Sequence, residues 1–133
     1  MGSEMCIRDS YFREVEGWTG LLLESGKWFP VDPNDEINLQ IETVSKDNII
    51  SIFKKYNVPY EFDLLSVDID SFDYWVTKEI LTQYSPRVVM VEVNVRFEPT
   101  ESWRLKDDPN WDWNGTKWYG ASPMAYKLSL IHI

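Results

Sequence analysis

Three short, nearly continuous apolar runs constrain this chain more than any other feature. Trp18-Thr19-Gly20-Leu21-Leu22-Leu23 ends at Glu24. Phe62-Asp63-Leu64-Leu65-Ser66-Val67 ends at Asp68-Ile69-Asp70. Val88-Val89-Met90-Val91-Glu92-Val93 follows the breaker Ser85-Pro86-Arg87 and ends at Asn94. Runs without strict alternation read as strands covered on both faces, the pattern of a parallel sheet. Helical patterns lie between them. Ser45 is expected to cap a helix whose apolar stripe is Ile49, Ile50, Ile52, Phe53 and Tyr56, stopped by Asn57-Val58-Pro59. Ser71–Tyr84 places Tyr74, Trp75, Ile80 and Leu81 on one helical face before Pro86. Residues 37–44 alternate and read as a more exposed or edge strand. Strand and helix taking turns in this way is the signature of βαβ units.

The two ends fall outside that pattern. Residues 1–10 lack the apolar core of a signal peptide, and they spell one reading frame of a transposase-type sequencing adapter. Leu128-Ser129-Leu130-Ile131-His132-Ile133 spells the reverse complement of the same element. The expectation is therefore that residues 1–10 and 128–133 are adapter-derived and that 11–127 is the native part, a truncated domain.

Composition then removes several chemistries. The one cysteine, Cys6, and the one histidine, His132, both lie in those ends. Residues 11–127 thus offer no thiolate nucleophile, no Cys/His zinc site and no histidine base. A net charge of −9 without a basic run argues against a nucleic-acid partner. No apolar stretch approaches the roughly 20 residues that a membrane span needs, and a cytoplasmic location is the default expectation. Seven Trp and seven Tyr are too many for a disordered acidic tail.

Past Asn94 the periodicity fades. Residues 96–112 are rich in Pro, Asp, Glu and Trp. Asn114-Gly115 signals a hairpin or turn, and Gly120-Ala121-Ser122-Pro123 reads as a loop entering a helix. The aromatic group Trp111, Trp113, Trp118 and Tyr119 reads as core or lid packing before it reads as a substrate cage.

Ligands of open parallel sheets bind outside the carboxyl ends of the strands. The side chains expected there are Glu24, then Asp68 and Asp70 with Asp73 one turn on, then Glu92 and Asn94. A carboxylate in that place accepts ribose hydroxyls or holds a hard divalent cation. The same residues have plainer readings. Asp68 and Asp70 also suit the cap of the following helix. Glu92 also suits a structural bond to a loop, and Glu24 a simple strand end.

The stretch Phe62-Asp63-Leu64-Leu65-Ser66-Val67-Asp68-Ile69-Asp70-Ser71-Phe72-Asp73-Tyr74-Trp75-Val76 resembles the strand–helix element of FkbM-type methyltransferase-like proteins. Pro86–Asn94 is similar to the strand that follows in that family, and Gly17–Glu24 to its second strand. Trp113–Ser122 is similar to the hairpin and helix entry of one subgroup of relatives. Ser71 takes the place of the family's usual Gly, and the family's glycine-rich cofactor loop has no counterpart here.

The resemblance implies a partial Rossmann-like, methyltransferase-type three-layer α/β fold with a mostly parallel sheet. It implies S-adenosylmethionine as cofactor, with Glu24 on its ribose, and transfer of methyl to oxygen of a small-molecule or glycan acceptor. Asp68, Asp70 and Glu92 are then the catalytic candidates, and Asp68 and Asp70 also the metal candidates. Asn94, Asp73 and Trp118 are the acceptor-binding candidates. A fragment without the cofactor loop is expected to be inactive alone. Two other readings stand beside this one. The first is a metal-dependent glycosyltransferase using Asp68-Ile69-Asp70 as its D-x-D motif. The second is a non-enzymatic Rossmann-like binding module.

Overall fold

The computed structural model of the chain describes residues 11–27, 30–108, 110–111 and 115–130. It divides into two compact units that meet between Thr43 and Val44 in the sequence.

The first unit holds a helical turn at 11–14 and two short strands, β1 (Leu22–Glu24) and β2 (Leu39–Ile41). They pair in parallel, with Leu22 opposite Leu39 and Glu24 opposite Ile41. The apolar run at 18–23 therefore enters a strand only at its end, and the strand continues to Glu24. The alternating segment 37–44 supplies its β2 partner in three residues. Asn38 adopts φ 51°, which turns the chain into β2. A short polar residue such as Asn tolerates that left-handed conformation.

The second unit carries α1 (Ile49–Lys55), β3 (Glu61–Val67), α2 (Asp73–Gln83), β4 (Ser85–Val91) and α3 (Pro123–Leu130). β3 and β4 pair in parallel, with Phe62 opposite Pro86 and Val67 opposite Val91. A β–α–β crossover through α2 thus forms as its sequence pattern implies. Pro86 lies inside the strand and does not precede it. It has no N–H to give a ladder, which confines proline to strand beginnings or edges.

Three expectations need correction. The helix over 49–55 is not capped by Ser45. Asn48 holds the cap position, and its side-chain carbonyl accepts the Ser45 N–H at 2.7 Å, closing a turn that leads into α1. The strands of the second unit are not covered on both faces among the described residues. Leu65 and Val67 are buried, yet Val88 is 56 % and Met90 37 % exposed on the opposite face of the β3–β4 pair. Two separate two-stranded parallel sheets stand where one larger sheet was expected. The architecture is mixed α/β, and no third layer is seen among the described residues.

The core forms where α2 lies on this strand pair. Val76 and Ile80 are fully buried, and Ile49, Ile52 and Phe53 close the α1 side. The Phe53 ring meets Tyr84 edge-on at 5.1 Å and Phe62 at 6.3 Å. Beyond β4 the chain has little regular structure, yet backbone bonds tie it down. Asn94 N–H donates to Ala121 at 2.8 Å, Leu105 N–H to Gly120 at 2.8 Å and Gly120 N–H to Ser71 at 2.9 Å. These bonds bring Ala121, Ala125 and Tyr126 against Tyr74 in one buried cluster. α3 runs on through Leu128, Ser129 and Leu130, three of the residues read as adapter. Of the hairpin at Asn114-Gly115, Asn114 lies outside the described residues, as does Trp113. Gly115 has φ 80°, as a turn there requires.

Candidate functional site: acidic ends of the paired strands

Parallel pairing in register brings the ends of β3 and β4 to one edge. Val67 faces Val91, and the residue just after β4, Glu92, donates its N–H to the Val67 carbonyl at 3.0 Å. Asp68 and Asp70 leave β3 at the same edge. One carboxylate oxygen from each of Asp68, Asp70 and Glu92 lies within 4.8 Å of the others. Asp70 takes φ 55°, a left-handed backbone that L side chains rarely adopt. The tight turn of this loop therefore falls at Asp70, and Ser71, which replaces the glycine of the resembled motif, is spared it. Strained backbone of this kind concentrates at ligand sites.

Asp73 is completely buried, and its carboxylate organises the loop. Oδ1 accepts the Ile69 N–H at 2.7 Å, and Oδ2 accepts the Ser71 N–H at 3.0 Å. Burial pushes its pKa up to about 6, against the opposing pull of those backbone donors. Both oxygens are thus engaged in holding the Asp68–Ser71 turn, which is a positioning task.

Glu92 differs. Its Oε2 is buried without a hydrogen-bond partner, and the carboxyl is pushed up to about 7 by burial first and then by Asp73, Asp68 and Asp70. Like charges crowded at low dielectric disfavour ionisation in this way. The Tyr126 hydroxyl is also buried without a partner, and its pKa is raised by burial and by Asp73 and Glu92. Tyr119 is raised for the same kinds of reason, with Arg96 pulling the other way. From sequence Tyr119 reads as core or lid packing, and Tyr126 is not singled out. The only signal was the apolar spacing of Ala125 and Tyr126 after Pro123, which gives no hint of where that helix returns.

Asn94 and Trp118 occupy other kinds of place. Asn94 is 1 % exposed. Its Nδ2 donates to the carbonyls of Lys117 and Tyr119 at 2.7 and 2.9 Å, and its Oδ1 accepts the Arg96 N–H at 3.0 Å. Its amide pins the 115–120 segment to the end of β4. Trp118 is 46 % exposed and leans on a stack of Phe97 and Trp103, whose ring centroids are 4.5 Å apart.

Glu24 belongs to the first unit, at the end of β1. Its Oε1 accepts from the Ser25 N–H at 2.8 Å, the Ser25 hydroxyl at 3.2 Å and the Gly26 N–H at 3.3 Å. Oε2 is left as its free acceptor among the described residues. That geometry suits one contact to a ribose hydroxyl. For the methionine end of S-adenosylmethionine the described residues offer no cradle, since no glycine-rich turn leads from a strand into a helix.

No protein-family model, no curated protein and no solved structure matches this chain.

Proposed function

We propose that the second unit is the acceptor side of a methyltransferase-type domain, with Glu92 as the base that takes the proton of an acceptor hydroxyl. The observation that supports this most is the strand-end cluster of Asp68, Asp70 and Glu92, in which Glu92 holds a buried, unpartnered oxygen. A general base works best with a pKa near the operating pH, and that of Glu92 is held at about 7. Residues 11–127 contain no histidine, which leaves the role to a carboxylate or to a metal-lowered hydroxyl pKa, and Glu92 suits the first. Asp73 acts as a positioning residue by fixing the turn that carries Asp68 and Asp70. The acceptor is a hydroxyl-bearing small molecule or glycan.

The resemblance of Phe62–Val76, Pro86–Asn94 and Gly17–Glu24 to the FkbM-type family supports the assignment to methyl transfer. S-adenosylmethionine would supply an electrophilic methyl group. Among the described residues Glu24 is the candidate contact to it.

A second reading is favoured by the spacing of the three carboxylate oxygens. Oxygen-only ligands within 4.8 Å of one another suit a hard divalent cation such as Mg²⁺ or Mn²⁺. Such an ion would serve a D-x-D glycosyltransferase as well as a metal-assisted methyltransferase.

Calorimetric titration separates these readings. S-adenosylmethionine binding that weakens in Glu24→Ala is the result expected for a methyltransferase. Binding of Mn²⁺ with a nucleotide-sugar, and none of S-adenosylmethionine, would turn the assignment to glycosyl transfer. A folded chain that binds neither would be a non-enzymatic module or would need residues beyond this sequence.

A further inference from the structure

Beside Trp75 runs an open groove of ≈ 520 Å³, lined by Trp75, Ser102, Trp103, Arg104, Lys106 and Asp107 among others. We propose that this groove binds a phosphorylated small molecule, with Arg104 and Lys106 as the anion ligands.

The groove is built on fixed backbone. Trp75 Nε1 donates to the Leu105 carbonyl at 2.8 Å, and Leu105 N–H donates to Gly120 at 2.8 Å. The Leu105 side chain is buried, so it faces inward, and Arg104 and Lys106 flank it on the exposed side. Arg104 is held in turn by two rings. Its guanidinium carbon lies 5.4 Å from the Tyr74 ring centroid and 5.5 Å from that of Trp75. A guanidinium held beside aromatic rings by cation–π attraction spends none of its N–H donors on them.

Those donors have no acidic partner among the described residues, and neither does the Lys106 ammonium. The one acid on the lining, Asp107, is paired with Lys46 at 3.1 Å. Lys78 adds a further cation 5.9 Å from the Trp75 ring centroid. Arg104 and Lys106 thus stand as two cations without an acidic partner on a chain of net charge −9. Two unpaired cations match a phosphate monoester, which carries about −1.5 to −2 charges at neutral pH. The guanidinium edge gives the planar fork that phosphate oxygens accept in pairs. The half-buried Trp75 indole offers an apolar surface to the ester group. In sequence the only trace is the basic pair Arg104 and Lys106 set in an acidic tract.

Titrating phenyl phosphate into the full chain, followed by ³¹P NMR and calorimetry, tests the proposal. The expected result is saturable binding, weakened about tenfold by Lys106→Ala and by Arg104→Lys, each of which removes one charge-assisted contact. Lys106 is exposed, so its replacement leaves the fold intact. Lys54→Ala, on the exposed side of α1, should bind as the unaltered chain does. Absence of saturation, or equal affinity in the unaltered chain and both groove variants, would overturn the proposal.

Discussion

The Glu92 N–H donates to the Val67 carbonyl at 3.0 Å, the bond that follows the Val67–Val91 register pair at the end of the β3–β4 ladder. That one bond sets Glu92 beside the Asp68 turn. Its carboxyl thereby meets three like charges, and with partial burial this lifts its pKa to about 7. Folding so far above the unfolded value of about 4.3 has a definite sign. Between those pH values the folded state holds more protons than the unfolded one, so stability falls as pH rises from about 4.3 through 7. Glu92→Gln removes this loss. Water screens part of the effect at a half-exposed group, which leaves an expected gain of about 1 kcal/mol at pH 8 and little change at pH 4. Urea unfolding at the two pH values measures it, and an equal or lower stability of the variant at pH 8 would contradict the assignment.

Asp73→Ala should be costly. Two backbone N–H groups, of Ile69 and Ser71, lose their carboxylate acceptor at a fully buried site. Leaving such donors unsatisfied costs on the order of 2 kcal/mol. Thermal unfolding checks the loss, and hydrogen exchange should show the 69–71 amides opening first. Exchange at those amides unchanged from the unaltered chain would rule out the positioning role.

At Asn94 the predicted order of variants is informative. Asn94→Ala leaves the Lys117 and Tyr119 carbonyls without their donor. Asn94→Asp does worse, because it presents a carboxylate oxygen to two carbonyl oxygens in a buried place. Destabilisation of roughly 2 kcal/mol for Ala and at least about 3 for Asp is expected. The reverse order in denaturant unfolding would mean that the amide does not donate to those carbonyls.

The two faces of the β3–β4 pair should respond unequally. Ile80→Ala on the α2 side removes a side chain that is fully buried, at a cost of about 2–5 kcal/mol. Val88→Thr on the other face should change stability by less than about 0.5 kcal/mol. A large loss at Val88, read by the same denaturant titration, would show that this face is covered in solution.

Much of the second unit was legible in the sequence because local signals decide it. The run from Phe62 to Val67 gives β3 almost to the residue, and the stop at Asn57-Val58-Pro59 gives the end of α1, whereas its start falls three residues later than a Ser45 cap would place it. The gathering of Asp68, Asp70 and Glu92 was also legible, since strand ends in parallel pairs share an edge. Other features depend on distant contacts. Ser45 and Asn48 are both good capping residues, and only the turn that Asn48 closes selects between them. Pro86 reads as a breaker, yet its place opposite Phe62 tolerates a missing N–H. Val88 and Met90 look like core in a run of apolar residues, because a sequence does not say whether a partner covers the second face. What the Asn94 amide holds depends on the return of 117–119, which no local signal announces. Tyr126 entered the site edge through that same return.

The account turns on one titration. In ¹³C-glutamate-labelled protein, with Glu92→Gln used for assignment, the Glu92 carboxyl followed by NMR should titrate with a midpoint near 7. Added Mg²⁺ that lowers this midpoint would favour the cation reading of the same three carboxylates. A Glu92 midpoint in the ordinary range of about 4–5, without metal, would contradict the assignment of Glu92 as the base.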